Sequence, residues 1–265
     1  MAVPPVLGTV TQLWRFPVKS MQGEQVAASE LGPQGLTGDR GWAVRDTTTG
    51  KVLSAKRVGA LLSATARRRD GMVTITLPDG QVLAAVEPAT DAALSAWLDR
   101  PVRLAEADPA DPGAFEMTVD PLDEDAPLIE LPCPPGTFLD AAAAHLLTTA
   151  SLAAAARLHP TGSWDVRRFR PTMLIETGLI DPAAGEEWVE DAWIGTSLAV
   201  GDAALTVFAP TVRCAMPTRS QGDLPADADI ARTVTTSHNS NLGVYAAVTA
   251  AGAVAVGDTL TPLTD

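Results

Sequence analysis

The sequence predicts a β-dominated α+β fold, and three observations carry that expectation. Short β-branched runs alternate with Gly, Pro and Asp turns through the first half. Only two segments show helical spacing of apolar residues. A proline- and acid-rich stretch from Asp108 to Pro135 separates two β-rich halves.

The elements follow in order. "GTVTQLWRFPV" (8–18) alternates loosely and ends at proline, as a strand does. "GWAVRDTTTGKVLSA" (41–55) predicts a hairpin turning at Thr49-Gly50. "GMVTITLPDGQVLAA" (71–85) predicts another, turning at Pro78-Asp79-Gly80. A short helix is expected over 90–100, capped by Thr90 or Asp91. "PVRLAEA" then resumes strand, so the first half reads as a small β-barrel or sandwich. Within the connecting segment, "FEMTV" and "LIEL" are apolar enough to pack. The second helix is expected from Ser151 to Leu158, capped by Thr148 or Thr149 and stopped before Pro160. Strands follow in "TMLIET", "EEWVEDAWIGTSLAVG" and "AALTVFAP", then a closing hairpin, "LGVYAAVTAAGAVAVGDTLTPL". The stretch 219–241 reads as a loop able to cover a site.

Composition narrows function. Hydrophobic residues make up 46% and charged residues 19%, the balance of a chain that folds around a core. The start lacks the pattern of a signal peptide. No apolar run reaches the roughly 18 residues of a membrane span. The longest candidate, "LTTASLAAAARL", is too short and carries hydroxyls, so a cytoplasmic protein without a membrane partner is expected. A net charge of −13 opposes binding to nucleic acid or anionic lipid. Cys133 and Cys214 form no disulfide framework, and His145, His159 and His238 provide no paired zinc motif. Arg67, Arg68 and Arg69 read as a solvated strand edge. Arg170, between Phe169 and Pro171 before an apolar strand, is placed to face an anion.

"APTVRCAMPTRS" (209–220) sets Cys214 between Arg213 and Arg219. Composition leaves this thiol open between a small buried hydrophobe, a metal ligand and a nucleophile. Cys133, between prolines and without a cationic neighbour in sequence, reads as inert.

Separated motifs agree on one family. "FPVKSMQGEQV" with "GPQGLTGDRGWAV" resembles the N-terminal β-barrel that precedes MOSC domains. "PPGTFLDAAAAHLLTTASL", "RRFRPTMLIETG", "WIGTSLAVGDAALTVFAPTVRCAMPT" and "NLGVYAAVTAAGAVAVGDTL" resemble the MOSC domain itself, named for the C-terminal part of molybdenum-cofactor sulfurase. The resemblance divides the chain into a small β-barrel domain (1–125) and a MOSC β-barrel domain (126–265). The same pair of domains occurs in the mitochondrial amidoxime-reducing component and its bacterial relatives.

The resemblance implies binding of the molybdenum cofactor (molybdopterin). By motif it assigns Cys214 as metal ligand and catalytic centre. Lys19, Ser20, Arg40, Thr149, Ser151 and Arg170 are assigned as cofactor-binding residues. Arginine suits a phosphate through paired bonds, a helix N-terminus favours an anion, and soft sulfur suits molybdenum. Relatives carry asparagine where this chain has Thr172, and a cysteine-rich ferredoxin-like domain is not expected after Asp265. The implied activity is reduction of small N-hydroxylated or N-oxide compounds. Its electrons would come from separate partners, a flavin reductase and an iron–sulfur or haem carrier. The alternatives are a sulfur-transfer protein that accepts a persulfide on Cys214 from a cysteine desulfurase, and a cofactor-binding module without turnover. His145 and His238 titrate near neutrality and are candidate proton carriers, with neither assigned to catalysis.

Overall fold

β-branched alternation becomes strand throughout the chain. The computed structural model describes residues 5–120, 123, 125–178 and 188–263. In chain order the first elements are β1 (Gly8–Arg15), β2 (Glu24–Val26), β3 (Ala28–Gly32), β4 (Gly35–Leu36) and β5 (Trp42–Asp46). Next come β6 (Thr65–Arg69), β7 (Met72–Thr76), β8 (Val82–Ala84), α1 (Ala89–Leu98) and β9 (Val102–Glu106). β10 (Ala114–Thr118) and β11 (Leu128–Pro132) form a hairpin in the connecting segment. The second half contains β12 (Ala144–Thr148), α2 (Thr149–Leu158), β13 (Met173–Glu176), β14 (Ser197–Val200) and β15 (Ala203–Val212). It ends with α3 (Asp229–His238), β16 (Asn241–Ala250), β17 (Gly252–Ala255) and β18 (Thr259–Pro262).

Seven strands close a barrel in the order β13-β12-β16-β15-β14-β18-β1, because β1 pairs with both β18 and β13. Gly8 permits that closure: a Cβ there would lie 2.6 Å from the Ile175 side chain and 2.7 Å from the Glu176 carbonyl. β12 and β13 are parallel, and α2 supplies the crossover that such a pair requires. Val10, Leu13, Leu146, Ile175, Val207 and Val244 fill the interior. The barrel therefore takes its closing strand from the far end of the chain, and the sequence boundary at 125 does not separate its strands.

The first half builds a second core from Val18, Leu61, Leu62, Ile75, Leu94 and their neighbours. Its β6-β7-β8 sheet contains the expected 71–85 hairpin and places Arg67 to Arg69 on an edge strand. β5 pairs along its length with β9 and, on its other side, with the return arm of the expected 41–55 hairpin. The return arm is short, held by backbone bonds from Asp46 to Lys51 and from Leu53 to Val44, and beyond it Ser20 Oγ accepts from the Ala55 amide at 2.9 Å.

Several local expectations are corrected. α1 begins after Pro88 without a side-chain cap. The Thr90 hydroxyl instead donates to Ala84 and the Asp91 carboxylate accepts from the Leu104 amide, tying the helix to its flanking strands. Thr148 caps α2 by accepting from the Ser151 amide at 3.1 Å, so the helix starts at Thr149. Of "EEWVEDAWIGTSLAVG", Glu186 and Glu187 lie outside the described residues, and Val189–Trp193 forms a 3-10 turn rather than strand. Glu190 is drawn inward there by the Thr148 and Ser151 hydroxyls. The stretch 219–241 contains α3, whose Ile230 and Val234 are buried one turn apart.

His238 fastens the end of α3. Its Nδ1 lies 2.8 Å from the Asn241 carbonyl and its Nε2 2.7 Å from the Asp191 carboxylate. Both partners only accept, so both ring nitrogens donate and the ring is an imidazolium. It stacks on Trp188 at 4.4 Å. Burial lowers its pKa, but Asp191, the Asn241 carbonyl and nearby Glu190 raise it further. This contribution to stability is full below the unfolded value and is lost as pH rises through the raised folded one. The thermal-midpoint advantage of wild type over His238→Gln should therefore be largest in mildly acidic buffer and shrink with rising pH. A constant advantage from about pH 5.5 to about pH 9 would contradict this assignment.

Candidate functional site

A cavity of about 330 Å³ opens where the two cores meet, within the range of cofactor and small-molecule sites. Lys19, Ser20, Arg40 and Lys56 reach it from the first half, and Met117 and Leu131 from the β10–β11 hairpin. Asp140, His145, Arg170, Arg213, Cys214 and Tyr245 reach it from the second half.

The cationic wall is organised around rings and a few acceptors. The Arg40 and Arg170 guanidinium carbons lie 4.4 and 4.1 Å from the centre of the buried Phe16 ring. Arg40 pairs with Asp39 at 2.5 Å, and Asp39 accepts the Phe16 amide at 2.7 Å. Arg170 donates to the Met21 carbonyl at 2.7 Å. Burial first, then Arg40, lowers the Arg170 pKa to about 9, so the guanidinium stays charged at neutral pH. An anion placed beside it would relieve both effects.

Ser20, Arg40 and Arg170 all have positive φ, at 70°, 46° and 54°. Non-glycine residues resist this region at a cost of about 1–3 kcal/mol each, and such strain concentrates at functional sites. Tertiary bonds hold two of these turns. The Arg40 amide donates to Phe16, and its carbonyl accepts from the Phe138 amide. Ser20 Oγ is committed to Ala55, so it shapes the wall as well as lining it.

Two lysines share one carboxylate. Lys19 Nζ donates to the Phe138 carbonyl at 2.7 Å and to Asp140, while Lys56 Nζ meets Asp140 at 2.9 Å. Both ammonium groups lie over the Phe115 ring, 4.3 and 4.8 Å from its centre. Burial raises the Asp140 pKa, but Lys19 and Lys56 outweigh it and hold the carboxyl well below the usual range. At Lys19 burial wins and lowers the pKa; at Lys56 it is outweighed by Asp140 and then Cys214, and the pKa rises.

Arg168 positions the cysteine loop. Fully buried, it donates to the carbonyls of Ser163, Pro217, Arg219 and Pro225. Arg213 follows β15, its side chain donates to the Phe169 carbonyl at 3.0 Å, and its amide donates to the Ser240 carbonyl at 2.7 Å. Its Nε is buried without a hydrogen-bond partner. Cys214 is a partly exposed free thiol packed against the first-half core. His145 stays neutral, since burial and then Arg213 drive its pKa well below the ordinary value.

The structure thus gathers Cys214, Lys19, Ser20, Arg40 and Arg170 around one space. Thr149 and Ser151 do not line it. The Ser151 side chain is buried against Thr148 and donates to Glu190 at 2.6 Å, which turns this helix start away from the cavity. Arg219 also lies outside the lining and donates to the Lys56 carbonyl at 3.1 Å. Lys56, Asp140 and Tyr245 are additions that sequence reasoning missed. Asp140 stands within a quoted motif, Lys56 follows the 41–55 segment, and Tyr245 is the one tyrosine in the chain. Cys133 is buried with Phe115 and Phe138, and burial pushes its thiol pKa up.

Two family models match the chain: the MOSC N-terminal beta barrel domain over residues 7–106 and the MOSC domain over residues 135–261. The chain belongs to the MOSC-domain family. No curated protein matches it significantly in sequence. Among solved structures, the YUAD protein of Bacillus subtilis is 12% identical with a TM-score of 0.48, over 96% of this chain and 93% of that one. YiiM from Geobacillus stearothermophilus is 16% identical with a TM-score of 0.33, over 46% of this chain and 55% of that one. YiiM from Escherichia coli is 19% identical with a TM-score of 0.35, over 47% and 55%. In this MOSC protein the two family matches meet at the cavity: Lys19, Ser20, Arg40 and Lys56 come from one, and Asp140, Arg170 and Cys214 from the other. Among the described residues, no helix is long and apolar enough to cross a membrane.

Replacing Arg168 with Met leaves four carbonyls without their donor and should cost about 3 kcal/mol or more. That corresponds to a fall of roughly 6–12 °C in thermal midpoint. Arg167→Met, which removes ion pairs to Asp165 and exposed Asp223, should change stability by less than about 1 kcal/mol. Equal losses in the two variants would refute the assigned role of Arg168.

Proposed function

We propose that the cavity binds the molybdenum cofactor and that the protein reduces small N-hydroxylated or N-oxide compounds. One observation carries this reading: a partly exposed thiol shares a cavity with Lys19, Arg40, Lys56, Arg170 and Arg213. That donor set fits the group. The arginines and lysines suit its phosphate and anionic pterin, and Cys214 provides the soft sulfur that molybdenum prefers. The unpartnered Nε of Arg213 is a further donor for an anionic ligand. When bound, the cofactor supplies two-electron redox chemistry at the metal.

The chain's own residues do the rest. Lys19, Arg40 and Arg170 hold the anionic end. Cys214 holds the metal end, at a loop that Arg168 fixes. Met117, Leu131, Val212 and Tyr245 give the cavity an apolar part of its lining. The reaction consumes two electrons and two protons, breaks the N–O bond and releases water. Electrons would come from a flavin reductase through an iron–sulfur or haem carrier.

Protein made in a cofactor-competent host should contain molybdenum and pterin. Cys214→Ala should lose most of the metal and all reductase activity, while keeping its thermal midpoint within a few degrees. Equal molybdenum in both proteins would reject Cys214 as ligand, and none in either would reject the cofactor.

The accessibility of Cys214 within a cationic cavity favours a second reading, sulfur transfer. There the Cys214 thiolate attacks the outer sulfur of a desulfurase persulfide. A new S–S bond forms on Cys214 as the donor's S–S bond breaks and the donor cysteine leaves as thiolate. Intact mass after incubation with a cysteine desulfurase and cysteine should then show one added sulfur, absent in Cys214→Ala. No added sulfur in wild type rules this reading out.

A further inference from the structure

Asp140 differs from the other acidic groups near the cavity. Its partner lysines are almost enclosed, at 4% and 13% side-chain exposure, yet its own side chain is 38% exposed. Asp140 also lines the cavity. It is therefore a carboxylate in contact with the space that a ligand would fill.

The cations around that space are not equally committed. Arg40 is paired with Asp39, Arg170 with the Met21 carbonyl and Arg213 with the Phe169 carbonyl. Lys19 keeps the Phe138 carbonyl whatever happens to Asp140. Lys56 differs: beyond Asp140, the described residues give its ammonium only the Phe115 ring and a 3.9 Å approach to Met117 Sδ. The pair that can exchange partners is Lys56 and Asp140.

We propose that Asp140 is an internal counter-anion: it occupies the seat between Lys19 and Lys56 that an incoming phosphate-bearing group would claim, and it limits how tightly the cavity takes such anions. The inference rests on the reading of the cavity as an anionic cofactor's seat and assigns that seat its competitor. With Asp140 in place, the empty cavity does not hold two bare ammonium groups against each other. The same charge disfavours small anions that cannot bring enough contacts of their own to displace it. A cofactor that also engages Arg40, Arg170 and Cys214 can do so, and selectivity follows from that difference.

The test is the affinity of the full-length chain, free of cofactor, for inorganic phosphate, measured by calorimetry. Asp140→Asn keeps the shape and removes the charge, and should bind phosphate roughly tenfold more tightly than wild type. Asp140→Glu should bind like wild type, and adding Lys56→Gln to Asp140→Asn should abolish the gain. Unchanged or weaker phosphate binding by folded Asp140→Asn would overturn the proposal. If that variant does not fold, Lys56→Gln alone must weaken phosphate binding about tenfold, and unchanged affinity overturns the proposal equally. Molybdenum content plays no part in this readout. A chain that tightens on phosphate yet never acquires molybdenum keeps the counter-anion and loses the cofactor reading; the reverse result separates them the other way.

Discussion

Like charges gathered around one cavity repel each other, and the fold is organised to withstand that repulsion. Lys19, Arg40, Lys56, Arg170 and Arg213 face the same 330 Å³. The chain as a whole is acidic, at −13, so this concentration is local and deliberate in its placement. Asp140 answers two of the cations and Asp39 a third. The rings of Phe16, Phe115 and Phe169 face the ammonium and guanidinium groups with their negative π-surfaces. Backbone carbonyls supply most of what remains. An environment so assembled is costly without an anion and favourable with one.

Barrel closure brings these groups together. β1 returns from the N-terminus to join strands from the end of the chain, and the residues that follow it, Phe16 to Ser20, are thereby delivered beside Arg170. The loop after β15 carries Cys214 back onto the first-half core, where Met216 is buried. Arg168 ties that loop to the turn before β13. Separating the two halves would dismantle the cavity, since each supplies residues that line it.

Much of this was legible in the sequence, through patterns set by local physics. The 71–85 hairpin and the Thr148 cap follow from alternation, capping and turn chemistry, whereas "FEMTV" and "LIEL" pair as strands but bury only Phe115 fully and leave Val119, Leu128 and Ile129 exposed. The closing role of β1 was not legible, because strand pairing over such a separation leaves no local mark. α3 was read as loop, since its threonines and serine have weak helix propensity and only Ile230 and Val234 mark its buried face. Motif resemblance placed Lys19, Ser20, Arg40, Arg170 and Cys214 together, and the fold gathers them. The same reasoning placed Thr149 and Ser151 with them, but Ser151 serves a buried carboxylate, Glu190, that stands 39 residues away in sequence. Lys56 escaped notice because an isolated lysine after a β-segment looks like surface, and only Asp140 and Phe115 reveal otherwise.

The central claim is that Cys214 and the cations form the two ends of a single cofactor seat. A crystal structure of the protein purified from a cofactor-competent host tests it most directly. The account predicts molybdenum bonded to the Cys214 sulfur and the cofactor's phosphate within the wall of Lys19, Arg40, Lys56 and Arg170. A metal bound away from Cys214, or a cofactor whose phosphate lies outside that cationic wall, would contradict it.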